Sequence, residues 1–106
     1  MASASRPSGV SRMNSASAVS KAALNHLTAL LANVTGPDVR INAVAPGLIR
    51  TEWTADWGPI HDSMKERSPL QRSGEPEDIA IAILDTAASP YMTGQVVVVD
   101  GGTGLR

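Results

Sequence analysis

Four consecutive valines, Val96–Val99, constrain this chain more than any other feature. Gly94 leads into the segment QVVVVD, residues 95–100, and Asp100-Gly101-Gly102 ends it. A strand with one wet face alternates apolar and polar residues, so an unbroken apolar run suits a strand covered on both faces, as in a parallel sheet. Parallel strands are joined by a crossover, usually a helix, rather than a tight turn. A second strand and a helix are therefore expected upstream.

Both can be found. Val39 to Ala45, VRINAVA, reads as a strand with imperfect alternation, stopped by Pro46-Gly47. Pro76 suits the first position of a helix, and Glu77 and Asp78 favour its positive end. That helix carries Ile79, Ala80, Ile83, Leu84 and Ala87 and ends near Ser89-Pro90. Between them, residues 48–74 form a long loop region with short helices expected around 51–57 and 60–67. A connection of that length is usually a lid or binding loop. Upstream, Ser15 or Ser17 can cap a helix running to about Val34. Val19, Ala23, Leu24, Leu27, Leu30, Leu31 and Val34 recur at three- and four-residue steps and define one broad apolar face. Gly36-Pro37-Asp38 should end it, with Gly36 in the left-handed conformation. The result is a partial α/β fold: two main helices, two parallel strands and a lid region, part of a doubly wound sheet.

Composition bounds the function. The chain has 106 residues, enough for one small domain, and a formal net charge of −1, which gives no electrostatic case for nucleic acid or membrane binding. It has no cysteine, hence no disulfide or zinc-thiolate site. That suits a reducing, cytoplasmic setting. The only aromatics are Trp53, Trp57 and Tyr91. A chain so poor in large rings struggles to build its own core, so a partner surface is expected, with a second copy as the first candidate. Residues 1–15, MASASRPSGVSRMNS, lack a hydrophobic period and precede the first acidic residue, Asp38. They read as a flexible leader or, alternatively, an organelle transit segment, with residues 16–106 forming the domain.

Four motifs in register resemble the short-chain dehydrogenase/reductase family. SKAAL at 20–24 looks like the second half of its Tyr-x-x-x-Lys helix. RINAVAPGLIRT at 40–51 resembles its strand and nicotinamide loop, GEPEDIA at 74–80 the start of the next helix, and YMTGQVVVVDGG at 91–102 the last core strand. The resemblance covers residues 17–102 and implies the C-terminal half of a Rossmann-type fold. It also implies reversible hydride transfer between NAD or NADP and a carbonyl or alcohol. A complete member is more than twice as long. The 106 residues contain no Gly-rich pyrophosphate turn, no residue that sorts NAD from NADP and no Asn-Asn-Ala-Gly segment. Ser3 and Ser5 lie near the spacing of the family's catalytic serine, but no strand precedes them and the role is not carried over.

By that resemblance Lys21 matches the lysine that bonds the nicotinamide ribose. Ser17 stands where the family has its catalytic tyrosine, one helical turn from Lys21 and on the same face. A serine alcohol is far less acidic than a phenol and its side chain is shorter, so Ser17 should not replace the proton donor. It is read as a lost tyrosine or a helix cap, with a Ser17–Lys21 nucleophile–base dyad as a hydrolase alternative. Pro46, Gly47, Ile49 and Thr51 match the cofactor loop. Backbone groups near Ile49 and the Thr51 hydroxyl would face the carboxamide and phosphate. The resemblance also implies a homo-oligomer packed through the helix 17–34. Trp53 and Trp57, four residues apart, could pack on each other or on an apolar substrate. His26 and His61 have no metal-ligand spacing. His61, Asp62 and Glu66 read as solvated lid residues, and the sequon Asn33-Val34-Thr35 is discounted at a helix end.

Overall fold

The computed structural model describes residues 8–106, with side chains from Ser15 onward. Helix α1 spans Ser8–Thr35, strand β1 Ala43–Pro46, helix α2 Gly58–Arg67, helix α3 Pro76–Ala88 and strand β2 Val96–Val99, followed by a single 3-10 turn at Thr103–Leu105. The two strands pair in parallel, Ala43 opposite Val96 through Pro46 opposite Val99. The crossover between them holds α2 and α3, and α3 lies against both strands. The expected parallel α/β unit is present. Both strands are shorter than the motifs suggested. Ile41 and Asn42 precede β1: the Ile41 carbonyl still accepts from the Gly94 amide, but the Ile41 amide donates to Thr93 Oγ1 and the Gln95 amide to Asn42 Oδ1.

Helix α1 begins at Ser8, so Ser15 and Ser17 lie inside it and neither is its N-cap. Residues 1–7 of the expected leader lie outside the described residues. At the other end Gly36 does not have a positive φ. The helix closes instead through amides of Gly36, Asp38 and Val39 that donate back to Ala32 and Thr35 carbonyls. The face that α1 turns to the rest of the chain is also not its leucine face. Among its described side chains Thr28 and Ala32 are buried, each 5% exposed. The seat of Ala32 is Gly94, at φ +74, where an added Cβ would stand 3.3 Å from the Ala32 methyl. Small residues allow this approach, and Leu24, Leu27, Leu30 and Leu31 are left in solvent.

The valine strand departs from expectation in a related way. Val99 shares a cavity with Ile79 of α3, whereas Val98, on the other face, is 64% exposed. The run is apolar enough for two covered faces, but among the described residues α3 covers one. Buried apolar side chains among the described residues are correspondingly few: Ala32 and Met64.

Helix α3 follows the sequence signals closely. Glu75 is its N-cap, Pro76 opens the first turn, and Asp78 Oδ2 accepts from the Glu75 amide at 2.7 Å. Its last turn has no basic residue of its own. Arg40 supplies the charge from the segment before β1, donating to the carbonyls of Thr86, Ala87 and Met92. Asn42 adds a bond from Nδ2 to the Met92 carbonyl. Two polar side chains thus lock the α3–β2 turn onto the entry to β1.

Candidate functional site

The loop that leaves β1 sits at the carboxyl ends of both strands, the edge where open α/β sheets bind ligands. Pro46 closes the ladder and Gly47 donates to the Val99 carbonyl at 2.9 Å. A side chain at 47 could not be accommodated, because its Cβ would stand 2.8 Å from Asp100 Cβ and 2.9 Å from its Cα. The loop then runs alongside residue 74. Gly74 donates to Leu48 and accepts from Arg50, which makes a parallel bridge opposite Ile49. An ion pair, Arg50 with Glu75 at 3.9 Å, ties the loop to the start of α3.

Beyond the bridge a hydrogen-bonded chain takes over. Thr54 Oγ1 donates to the Ile49 carbonyl at 2.6 Å and accepts from the Thr51 amide at 2.9 Å. The Thr54 carbonyl meets His61 Nε2 at 3.0 Å, and His61 Nδ1 meets Ser73 Oγ at 2.5 Å. A carbonyl only accepts, so Nε2 carries the proton. In the neutral ring Nδ1 then accepts from the Ser73 hydroxyl. His61 is 3% exposed and Ser73 2%. This overturns the reading of His61 as a solvated lid residue. No motif marks it, since its partners stand 7 and 12 residues away. Asp62 and Glu66 are exposed, as expected.

The far end of the lid is fixed separately. Ser68 Oγ and the Leu70 amide both donate to the Gly101 carbonyl. Asp100 Oδ1 and Oδ2 accept from the amides of Gly102 and Gly104, shaping the turn after β2. Arg72 forks onto Asp78 at 2.8 and 3.2 Å. That hydrogen bond, with the one from the Glu75 amide, lowers the Asp78 pKa to about 2.

Pro46 ends β1, and Gly47, Ile49 and Thr51 lie on the loop that leaves it. Gly47 and Ile49 are half-buried, and Pro46 and Thr51 are exposed. Ser17 and Lys21 are both exposed on α1, one turn apart. The cavities lined by the loop do not include either of them. One, of about 190 Å³, lies between Leu48, Ile49, Ile79, Val99 and Asp100. That is below the roughly 300–1,000 Å³ usual for small-molecule pockets. A second, shallower cavity is lined by Arg50, Thr51, His61 and Glu75. Trp53 is 84% exposed and Trp57 40%. No group of three or more His, Cys, Asp or Glu fit to hold a metal occurs among the described residues. Nor is any described helix long and apolar enough to cross a membrane.

The residues fit one end of a nicotinamide cofactor. The Leu48 and Ile49 amides make no hydrogen bond among the described residues, so they remain available to an acceptor such as a carboxamide. The pyrophosphate end has no counterpart, because the sequence contains no Gly-rich turn opening a helix.

Comparison with known proteins agrees with this geometry. The family model described as enoyl-(acyl carrier protein) reductase matches residues 1–104. A granaticin polyketide synthase ketoacyl reductase of Streptomyces violaceoruber is 48% identical over 95% of this chain and 41% of its own. The short-chain dehydrogenase/reductase homolog YusR of Bacillus subtilis is 38% identical over 83% of this chain and 68% of its own, so that relative is itself short. Among solved structures, a small-chain dehydrogenase in complex with NADPH superposes with a TM-score of 0.74 at 37% identity, over 80% of this chain and 41% of the other. This chain thus spans less than half the length of the ketoacyl reductase and of the NADPH-bound dehydrogenase. With the parallel strands, the crossover helix and the Pro-Gly loop in their expected places, the chain belongs to the short-chain dehydrogenase/reductase family.

Proposed function

We propose that this chain carries the nicotinamide-facing part of an NAD(P)-dependent oxidoreductase that acts on a carbonyl or alcohol, and that alone it is impaired or inactive. The observation that carries the reading is the Pro46–Thr51 loop. It is held at the carboxyl edge of the parallel strands with two backbone amides unengaged among the described residues. NADPH in a structural relative and the ketoacyl reductase name of a sequence relative support the cofactor and the carbonyl. Bound there, a nicotinamide would supply the hydride. Leu48 and Ile49 would hold the carboxamide, Thr51 a phosphate and Lys21 the ribose hydroxyls. Ser17 supplies no phenol to protonate the carbonyl oxygen, which motivates the predicted impairment. The cysteine-free composition fits a cytoplasmic setting.

Calorimetric titration of NADH and NADPH into the purified chain tests the cofactor reading. Saturable binding in the micromolar range supports it, and absence of heat with a folded chain overturns it. Robust NAD(P)H-dependent carbonyl reduction by the pure chain would refute the claim of impairment.

A second reading is an assembly module without catalysis. The apolar face of α1 favours it, with Leu24, Leu27, Leu30 and Leu31 each at least 40% exposed. The occupant proposed is a second copy, helix 17–34 against helix 17–34. A monomer in sedimentation velocity at micromolar concentration would count against it. The Ser17–Lys21 hydrolase is disfavoured, since a lysine base needs an apolar surround and both residues face solvent. Ester turnover lost in both Ser17→Ala and Lys21→Ala would reinstate it.

A further inference from the structure

We propose that His61 is the positioning residue for the loop bearing Ile49 and Thr51, acting through Thr54 and braced by Ser73. The functional meaning rests on the proposed role of that loop, while the mechanical coupling stands on geometry alone. Three segments distant in sequence meet at one imidazole. Nε2–H donates to the Thr54 carbonyl in the turn after the loop. Nδ1 accepts from Ser73, on the chain leaving the lid. Thr54 then passes the constraint on, since its hydroxyl holds both the Ile49 carbonyl and the Thr51 amide. At 3% exposure, water has little access to replace either ring contact. Ser73 is followed directly by Gly74, whose amide and carbonyl bond Leu48 and Arg50. The loop is therefore gripped from both sides by the same short segment, once through backbone and once through the imidazole. Helix α2 carries the ring, so the place of the lid and the shape of the loop are set together.

The two ring nitrogens allow a separating test in the 106-residue chain, read by amide exchange at Thr51 in nuclear magnetic resonance. A glutamine amide reaches where Nε2 stands, and an asparagine amide reaches where Nδ1 stands. His61→Gln should keep the Thr54 contact and leave Thr51 exchange within about twofold of wild type. His61→Asn should lose it and speed exchange about tenfold, the usual weight of one buried hydrogen bond. Equal exchange in the two variants, fast or slow, would overturn the proposal, because a space-filling role treats both alike.

If His61→Asn does not fold, Ser73 serves instead. Ser73→Ala should speed Thr51 exchange severalfold from 22 residues away, and Ser73→Thr should restore it. No change in Ser73→Ala would overturn the coupling. The ring should also show the Nε2–H tautomer in its nitrogen shifts, and an Nδ1–H ring would contradict the network. None of these readouts uses a coenzyme. A failed NADPH titration with the coupling intact would refute the cofactor reading alone.

Discussion

Two regions of this molecule are built on opposite principles. The loop, lid and terminal turn, residues 46–74 and 100–104, hold together by polar contacts that are satisfied within the described chain. Ser68 is fully buried, Ser73 and His61 nearly so, and among the described residues no buried side-chain polar atom lacks a partner. Helices α1 and α3 do the reverse. Val19, Leu24 and Val34 on one, and Ile81, Ile83 and Leu84 on the other, are more than half exposed. Polar bonds are short-ranged and directional, so a segment can complete them locally. Apolar burial needs area, and area needs a second surface. The site's framework is therefore self-contained, while the faces around it remain open to a partner.

The largest expected effect breaks this contrast on its apolar side. If α1 pairs with a second copy, the double variant Leu24→Glu, Leu27→Glu should weaken association on the order of 1,000-fold or more, from the burial usually assigned to leucine. Sedimentation velocity reads it as a shift to monomer. An unchanged assembly would move the interface elsewhere.

Next, Gly101→Ala strikes the polar region. Residue 101 holds φ +64, and a Cβ there would stand 2.7 Å from Ser68 Oγ. Backbone strain and the clash together should cost about 2–4 kcal/mol, seen as a lower urea midpoint. Gly58→Ala is the control, since a Cβ at 58 meets nothing within 4 Å.

His61→Ala should cost about 1–3 kcal/mol, because Ser73 and the Thr54 carbonyl lose a buried partner. The loss should appear first as faster exchange in residues 49–54 rather than in α1. Uniform loss across the chain would mean that the two regions are not separable.

The smallest effect is electrostatic. The Asp78 carboxyl has its pKa lowered to about 2, first by Arg72 and then by the Glu75 amide. A depressed folded pKa contributes stability above the unfolded value near 4. That contribution is lost as pH falls from about 4 through 2. Asp78→Asn should flatten urea stability across this window and leave its slope above pH 5 unchanged. The pair is solvent-facing, so the effect should also shrink in high salt.

What could be read in the sequence follows the same division. Helix α3 was legible because its signals are local: Pro76, the acids beside it and the apolar positions behind. The strands were legible from composition, and the loop from Pro46-Gly47 between them. The start of α1 was not, and although the helix stops at Thr35 just before Gly36-Pro37, Gly36 closes it with a backbone bond to Ala32 where a left-handed cap was expected. The cover of Val98 depends on what faces it, which no local pattern records. His61 was misread for a related reason. Its neighbours in sequence, Asp62 and Glu66, face solvent, while its partners arrive from the turn before and the chain after. Arg40 likewise looks like one polar position of an alternating strand until Thr86 and Ala87 are placed beside it.

The seat of α1 on Gly94 has one more consequence. Contact through a methyl and a bare backbone fixes how near the helix comes, but it offers no large side chain to lock its tilt. Lys21 rides on that helix, 11 residues before Ala32. Whatever covers the leucines would then also set where the ammonium stands relative to the loop. If a second copy covers that face, as proposed, its occupancy and the position of Lys21 would be linked by mass action. Protein concentration would act on this chain as a ligand does on others.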